Sequence, residues 1–271
     1  MMYAICCSVL GSLLITRTSP SPPSSPRADS DAVALWEQAI DAKGGRQRLS
    51  TVQNILESYT DKTLVGLYVP PDRFWRWADD RPTRLGVYVV MDNLERSLSY
   101  RMEGNTASPS QNLGERHAKE GLWEIYYAQL YYLVETQWLK PRPVQVHSGM
   151  IEHQPVDIIQ TVVHFPQAPR AVDAGYRVDF HLDKFAHLPL EIAFPSDDSQ
   201  GTSYGRGTYY VRLADYADEN GIQIPRKIGH MRKPDIPVTV QFNVDYDANI
   251  FERPPSVKAG PDAWRSRQKK S

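Results

Sequence analysis

The stretch Tyr176–Asp183, YRVDFHLD, places an apolar residue at every second position and a polar residue between each pair. A period of two is typical of a β-strand with one apolar and one polar face. Comparable segments, separated by turn residues, lie on both sides of it between Val144 and Tyr246. Among these turns, Asp218–Gly221 (DENG) contains an Asn-Gly pair that is typical of a hairpin. This half of the chain therefore predicts a long antiparallel meander.

Further strands and two helices precede the meander. Segments rich in β-branched and aromatic residues predict strands between Val52 and Met102. A helix is expected over 32–40, ended by Gly44-Gly45. The stretch Leu113–Leu139 changes to a helical period with a wide apolar and aromatic arc, and we expect it to end at Lys140–Pro143. The order of elements predicts an α+β fold in which helices cover one strongly curved antiparallel sheet.

Composition excludes several classes of function. The 271 residues include 31 Lys plus Arg and 32 Asp plus Glu, for a net charge of -1. Proteins that bind nucleic acid through its phosphates usually carry a basic surplus, so we expect no nucleic-acid partner. The two cysteines, Cys6 and Cys7, lie in the apolar N-terminal stretch. The remainder therefore has no disulfide scaffold, no cysteine nucleophile and no Cys-ligated zinc site.

The two ends of the chain differ in composition from the middle. The apolar run Tyr3–Ile15 is too short for a normal bilayer span but suits the core of a secretory signal. A Ser/Pro-rich linker follows it, so we expect residues 1–28 to be a signal or anchor with a linker, and the protein to be exported to the periplasm or cell envelope. No Lys or Arg precedes the run, which leaves a cytosolic tail as the alternative. We expect one domain over 29–256 and a basic, flexible tail over 257–271.

Four segments carry a resemblance to a known family. They are AIDAKGG at 39–45, YRVDFHLD at 176–183 running into LPLEI at 188–192, LADY at 213–216 with NGIQIPRKI at 220–228, and VQFNVDY at 240–246 ending in IFERP at 250–254. Over residues 30–255 the chain resembles the LolA/LolB-like superfamily of outer-membrane lipoprotein-sorting proteins, and among them the exported members whose role is unknown. The resemblance implies a half-open, incomplete β-barrel wrapped over helices, with an apolar cavity for acyl chains. It also implies no enzyme activity and no cofactor.

An apolar cavity can bind an acyl chain without any catalytic group. The binding free energy comes from the chain itself, because each methylene moved from water into the cavity gains about 0.8 kcal/mol. We therefore expect a lipid or acylated ligand, a role in envelope lipid or lipoprotein trafficking, and a monomer. An envelope protein or a membrane surface stays open as a further partner. The candidates for the wall of the cavity are Trp75, Trp77, Tyr88, Trp123, Tyr127, Leu130, Tyr131 and Val134. The alternative is that these side chains only fill a core, in a non-enzymatic interaction or structural module of the same fold.

Two further patterns are weaker. Residues 201–205, GTSYG, match the G-x-S-x-G pattern of hydrolases, which requires a preceding strand and a following helix. A polar loop and a strand flank the pattern here, so we expect a Gly-rich turn. A hydrolase built on Ser203 is a third hypothesis, after the lipid-binding protein and the interaction module. His181, Asp183 and His187 lie close in sequence but lack the spacing of a metal motif. We expect no metal site and no catalytic residue.

Overall fold

The computed structural model describes residues 29–60, 64–80, 85–92, 97–103, 106–107, 111–112, 125–164, 176–196, 207–230, 235–247 and 251. Four predictions lie outside the described residues. They concern the signal or anchor and linker over 1–28, the tail over 257–271, the cavity residue Trp123, and the Ser203 motif.

Three helices are present among the described residues. They are α1 (Asp29–Lys43), α2 (Arg46–Leu49) and α3 (residues 125–132). The expected helix over 32–40 is confirmed within α1, and it ends where predicted. Gly44 and Gly45 both have positive φ, 125° and 87°, a region that glycine enters without steric cost. None of the helices in the described part of the chain has the length and apolar character needed to cross a membrane.

The aromatic helix ends earlier than predicted. Its helical backbone stops at residue 132, whereas Leu139 was expected to be its last residue. Val134, which lies within the predicted helix, has a φ of 59°. Just beyond it, Thr136 Oγ1 accepts hydrogen bonds from the backbone N–H groups of Trp138 (3.2 Å) and Leu139 (3.0 Å). A threonine hydroxyl thus competes with the helix for backbone groups, which the apolar periodicity did not reveal.

The described residues form fourteen strands in one antiparallel sheet. The strands are β1 (Ile55–Tyr59), β2 (Leu64–Val69), β3 (Arg73–Asp80), β4 (Leu85–Asp92), β5 (Ser97–Glu103), β6 (Thr106–Ala107), β7 (Gln111–Asn112), β8 (Arg142–Ile151), β9 (Gln154–Val163), β10 (Tyr176–Asp183), β11 (Pro189–Ser196), β12 (Gly207–Glu219), β13 (Ile222–His230) and β14 (Ile236–Phe242).

The sheet consists of two meanders joined by the last strand. Its order is β6-β5-β4-β3-β2-β1-β14-β13-β12-β11-β10-β9-β8, and β7 pairs with β5. β14 therefore lies between β1 and β13 and connects the first meander to the second. In the described residues the terminal strands of this path do not pair with each other, so the sheet is open. The prediction of an antiparallel sheet accompanied by helices is confirmed.

The helices pack on one face of the sheet, which we call the inner face. In β10, Tyr176, Val178, Phe180 and Leu182 are buried in the core, and the residues between them are more exposed. α1 packs against β8, β9 and β13, and the Trp36 ring meets Phe180 edge-on with 4.9 Å between ring centroids. The inner face and the helices thus enclose the main core.

Candidate functional site

An unbroken row of aromatic rings lies between α3 and the inner face. Phe194 of β11 is at its centre, with ring centroids 4.8 Å from Tyr127 and 6.0 Å from Tyr131 of α3. Tyr176 of β10 and Tyr209 of β12 each lie 6.4 Å from the same Phe194 ring. We call these five residues the aromatic strip. All five are buried, so α3 closes the strip in this structure.

The structure brings four of the predicted cavity residues together. Tyr127, Leu130, Tyr131 and Val134 are buried in the core cluster at or just beyond α3. Tyr127 and Tyr131 stack on each other with 6.0 Å between centroids, as residues four apart on a helix do. Their position against the inner face suits a ligand wall and suits a packed core equally. Their contact with a ligand stays a prediction.

Trp75 of β3 lies apart from that group. Its neighbour Phe74 belongs to the core cluster on the inner face, and successive side chains of a strand point to opposite faces. Trp75, which is fully buried, pairs with Leu67 of β2 on the opposite side of the sheet. Trp77 and Tyr88 pair with each other in the register of β3 and β4, and their side chains lie outside the described residues.

A histidine between two tyrosines lies at the end of the aromatic strip. His230 of β13 has Nε2 at 3.2 Å from the hydroxyl of Tyr59 and Nδ1 at 2.6 Å from the hydroxyl of Tyr209. Its ring stacks on Tyr209 at 6.1 Å and meets the Tyr131 ring edge-on at 6.4 Å. His230 and Tyr59 are only half-buried. The aromatic interior therefore reaches the surface at this point.

A buried carboxylate lies two residues before Tyr59 on the same strand. Glu57 of β1 is 6% exposed, and it accepts hydrogen bonds from the hydroxyls of Tyr68 (2.9 Å) and Tyr132 (2.7 Å). Burial raises the pKa of Tyr132 well above its usual value, and the charges of Glu57 and Tyr59 raise it further. Tyr132 therefore stays protonated as a donor to the carboxylate, and it lies within electrostatic reach of Tyr59, which contacts His230. We call the following set the polar cluster: Glu57, Tyr59, Tyr68, Tyr132, Tyr209 and His230.

Sequence reasoning missed the polar cluster because its members come from five different elements. Tyr59 and His230, for example, are 171 residues apart and meet only through strand pairing around β14. One signal was available in the strand ILESY. Ile55, Glu57 and Tyr59 share a face at period two, so a carboxylate occupies a position that the pattern assigns to the core. A charged residue at such a position needs partners.

The C-terminal end of α1 inserts a lysine into the core. Lys43 is completely buried, its ammonium donates to the backbone carbonyl of Gln223, and it lies 5.0 Å above the ring of Tyr216. Burial lowers the pKa of Lys43 to about 7. Burial also raises the pKa of Tyr216, whose hydroxyl donates to the carbonyl of Pro189 at 2.7 Å.

A second contact fastens α1 to the segment after α3. Glu135 accepts hydrogen bonds from Trp36 Nε1 (3.3 Å) and from Arg46 Nε (2.8 Å). Arg46 also forms a bidentate ion pair with Glu37, in which its two Nη atoms each lie 2.9 Å from a carboxylate oxygen. These bonds raise the pKa of Arg46 and lower the pKa of Glu37. One carboxylate thus holds α1, α2 and the end of the aromatic helix together.

His181 and Asp183, which the sequence analysis considered as metal ligands, form structural contacts. In the part of the chain that the structure describes, no group of three or more His, Cys, Asp or Glu residues is placed to hold a metal ion. His181 Nδ1 lies 3.0 Å from a carboxylate oxygen of Glu191 on the neighbouring strand. The Asp183 carboxylate accepts the backbone N–H groups of Phe185 (2.8 Å) and Ala186 (2.6 Å), which stabilises a turn.

The chain is similar to two solved structures. A LolA superfamily protein from Nitrosomonas europaea is 13% identical and matches 82% of this chain and 97% of its own length, with a TM-score of 0.41. The chain is similar to a LolA superfamily protein. A DUF1329 family protein from Desulfovibrio piger is 11% identical and matches 83% of this chain and 98% of its own, with a TM-score of 0.42. No family model and no curated protein matches the sequence.

Proposed function

We propose that this chain is an exported, non-enzymatic protein of the periplasm or cell envelope that holds a lipid or acyl chain between α3 and the inner face of the sheet. One observation carries the proposal. At one end the aromatic strip contacts His230, which is half-buried and contacts the half-buried Tyr59. An apolar ligand could enter there and replace protein contacts with its own.

The energetics favour an acyl chain. Each methylene transferred from water gains about 0.8 kcal/mol, so a long chain offsets a sizeable cost of rearrangement. The cost falls on α3, because its rings close the strip in the structure described here. We propose that α3 moves aside when the ligand enters, and that Tyr127, Leu130, Tyr131 and Val134 then line the ligand.

We also propose that the sheet curves into a half-open barrel. α1 packs against both β8 and β13, and four strands lie between these two in the order of the sheet. A sheet that bends around α1 would bring both strands to the same helix. The concave face would then be the inner face, which carries the aromatic strip.

The test is native mass spectrometry of the chain purified from a bacterial host without detergent. We expect a bound species in the mass range of phospholipids or fatty acids, displaced by a competing lipid. Tyr131→Ala should reduce the fraction of protein that carries the bound species. Tyr210→Ala is the control and should leave this fraction unchanged, because Tyr210 of β12 points away from the inner face. A clean apoprotein that also fails to bind a fluorescent fatty acid would contradict the proposal.

The second candidate is a non-enzymatic interaction or structural module of the same fold. The burial of all five rings of the aromatic strip favours it, because those rings already fill the space between α3 and the sheet. The mass spectrometry experiment separates the two candidates. A hydrolase reading would require esterase turnover that is lost in Ser203→Ala.

A further inference from the structure

We propose that the sheet opens between β13 and β14, and that an acyl ligand reaches the aromatic strip through this opening. The place where Lys227–Ile228 of β13 meet Ile236–Pro237 of β14 is called the seam below. The ligand route rests on the proposed function, whereas the opening itself can be tested without a ligand. Two observations support it: the sparse pairing of the two strands, and the position of the aromatic strip on the inner side of the seam.

The two strands pair over a short stretch. In the part of the chain that the structure describes, β13 and β14 are in register only at Lys227–Pro237 and Ile228–Ile236. β13 pairs with its other neighbour, β12, from Ile222 to His230. The rest of β14, residues 238–242, pairs with β1. β14 therefore leaves β13 after two positions and continues as a strand of the first meander.

Proline weakens the seam further. β13 contains Pro225 and β14 contains Pro237, and a proline has no amide hydrogen to donate to a neighbouring strand. The carbonyl of Pro237 accepts both the backbone N–H and the hydroxyl of Thr60, each at 3.0 Å, next to β1. Pro237 therefore attaches β14 to the first meander and donates no backbone hydrogen bond to β13. The seam should separate before the junctions on either side of it.

Two side-chain contacts cross the seam, one on each face of the sheet. On the inner face, the hydroxyl of Tyr59 in β1 lies 3.2 Å from Nε2 of His230 in β13. On the opposite face, Arg212 of β12 forms an ion pair at 2.8 Å with Asp235, which immediately precedes β14. The side chains of Arg212 and Asp235 are 37% and 33% exposed, and Tyr59 and His230 are half-buried. Contacts that water reaches contribute little to stability, so they can close the seam reversibly.

The inner side of the seam leads to the aromatic strip. His230 comes two residues after Ile228, and its ring stacks on Tyr209 at 6.1 Å and meets the Tyr131 ring at 6.4 Å. α1 packs against β8, β9 and β13, which all belong to the second meander. If β14 and β1 move away from β13 together, the packing of α1 on the second meander is kept. Such a movement would expose the rings of Tyr209 and Tyr131 to an incoming hydrocarbon chain.

The test is a disulfide that locks the seam in the full chain. With Cys6→Ser and Cys7→Ser as background, Lys227→Cys and Pro237→Cys are the only cysteines, and both positions are exposed. Paired residues of antiparallel strands have Cα atoms about 4.5–5.5 Å apart, which suits a disulfide. The matched control combines Lys227→Cys with Ala214→Cys and locks β13 to β12 instead. Each variant reduced with dithiothreitol is its own unlocked reference.

Two rates should change when the seam disulfide is oxidised. Deuterium exchange in peptides that contain Ile228 or Ile236 should slow by about 10-fold or more, because the locked seam no longer opens. The uptake of cis-parinaric acid, a fluorescent fatty acid, should also slow by about 10-fold or more, and dithiothreitol should restore it. The control disulfide should leave both rates unchanged.

The outcomes separate this inference from the proposed function. If the unmodified chain binds no parinaric acid, the proposed function fails and the ligand route with it, and deuterium exchange alone decides whether the seam opens. If the probe enters the oxidised seam variant as fast as the reduced one, the route is wrong and the carrier proposal stands. Exchange at the seam that oxidation leaves unchanged would overturn the opening itself.

Should the seam variant fold poorly by circular dichroism, Asp235→Asn decides. This change removes the ion pair with Arg212 and keeps the size of the side chain, so exchange at the seam should become about 2- to 5-fold faster. The control is Glu37→Gln, which removes a partly exposed ion pair with Arg46 on α1 and should leave exchange at the seam unchanged. An equal exchange rate in Asp235→Asn and the unmodified chain would contradict the proposed opening.

Discussion

Replacing the buried Lys43 with methionine should change how the stability of this protein depends on pH. The lysine ammonium lies in the core with a carbonyl and an aromatic ring as its partners and without a carboxylate among the described residues within ion-pair distance. Burial lowers its pKa from 10.5 to about 7, because a charge loses its hydration there. Methionine has a similar length and no charge, so Lys43→Met removes the titration and largely keeps the packing.

The size of the effect follows from the two pKa values. Between pH 7 and 10.5 the unfolded chain binds a proton at Lys43 that the folded chain has released, so the free energy of unfolding rises with pH across this window. Below pH 7 both forms are protonated and the penalty is constant. The full difference corresponds to about 5 kcal/mol, of which about 3 kcal/mol is recovered between roughly pH 6 and 9.5.

Urea unfolding at these two pH values measures the effect. We expect Lys43→Met to be more stable than the unmodified chain at pH 6, less the contribution of the lost hydrogen bond. This advantage should shrink by about 3 kcal/mol at pH 9.5. Lys227→Met is the matched control, because Lys227 is exposed and pairs with Asp215 at 3.3 Å. An advantage of Lys43→Met that is the same at both pH values would refute the reasoning.

Three further predictions concern packing, turns and a buried acceptor, all measured by urea unfolding. Phe194→Ala should lower the free energy of unfolding by about 3–5 kcal/mol because it empties the centre of the aromatic strip. The control Phe185→Ala, at an 82% exposed position, should stay within about 0.5 kcal/mol of the unmodified chain. Gly45→Ala should lower the free energy of unfolding by about 1–2 kcal/mol because of the positive φ at this position. Gly44→Ala should lower it clearly more, since its Cβ would also collide with the backbone of the β12–β13 turn. Equal losses for the two variants would contradict that contact. Glu135→Ala should cost about 1–3 kcal/mol by leaving a buried indole N–H without its acceptor, and an unchanged midpoint would exclude the fastening role.

Local patterns predicted the individual elements well. The alternation in YRVDFHLD corresponds to β10, with buried and more exposed residues in turn. The Asn-Gly pair forms the β12–β13 turn, where Asn220 and Gly221 have φ of 54° and 81°. In contrast, the aromatic helix was extended too far, because Thr136 forms hydrogen bonds that a hydrophobic period does not register.

The candidate site shows the same contrast between local sequence patterns and tertiary contacts. The helical period predicts Leu130 on one stripe of the helix and Tyr127 and Tyr131 beside it, and all three lie in the core cluster against the inner face. The sequence prediction groups Trp75 with them because it is aromatic, but its position in β3 puts it on the other face from Phe74. Aromatic composition alone does not distinguish the faces of a strand. The parity of a residue relative to the core does, and parity is known only once the core is known.

The sequence by itself determined the antiparallel strands, the hairpin turns and the end of α1, since these depend on residues a few positions apart. Only the tertiary structure decided that Glu57 meets Tyr132, that His230 lies between Tyr59 and Tyr209, and that Lys43 is buried against Tyr216. These contacts arise because β14 inserts between β1 and β13 and joins two meanders that the chain forms far apart. Such pairings carry no local period, and the desolvation that lowers the pKa of Lys43 exists only when the core has closed around it.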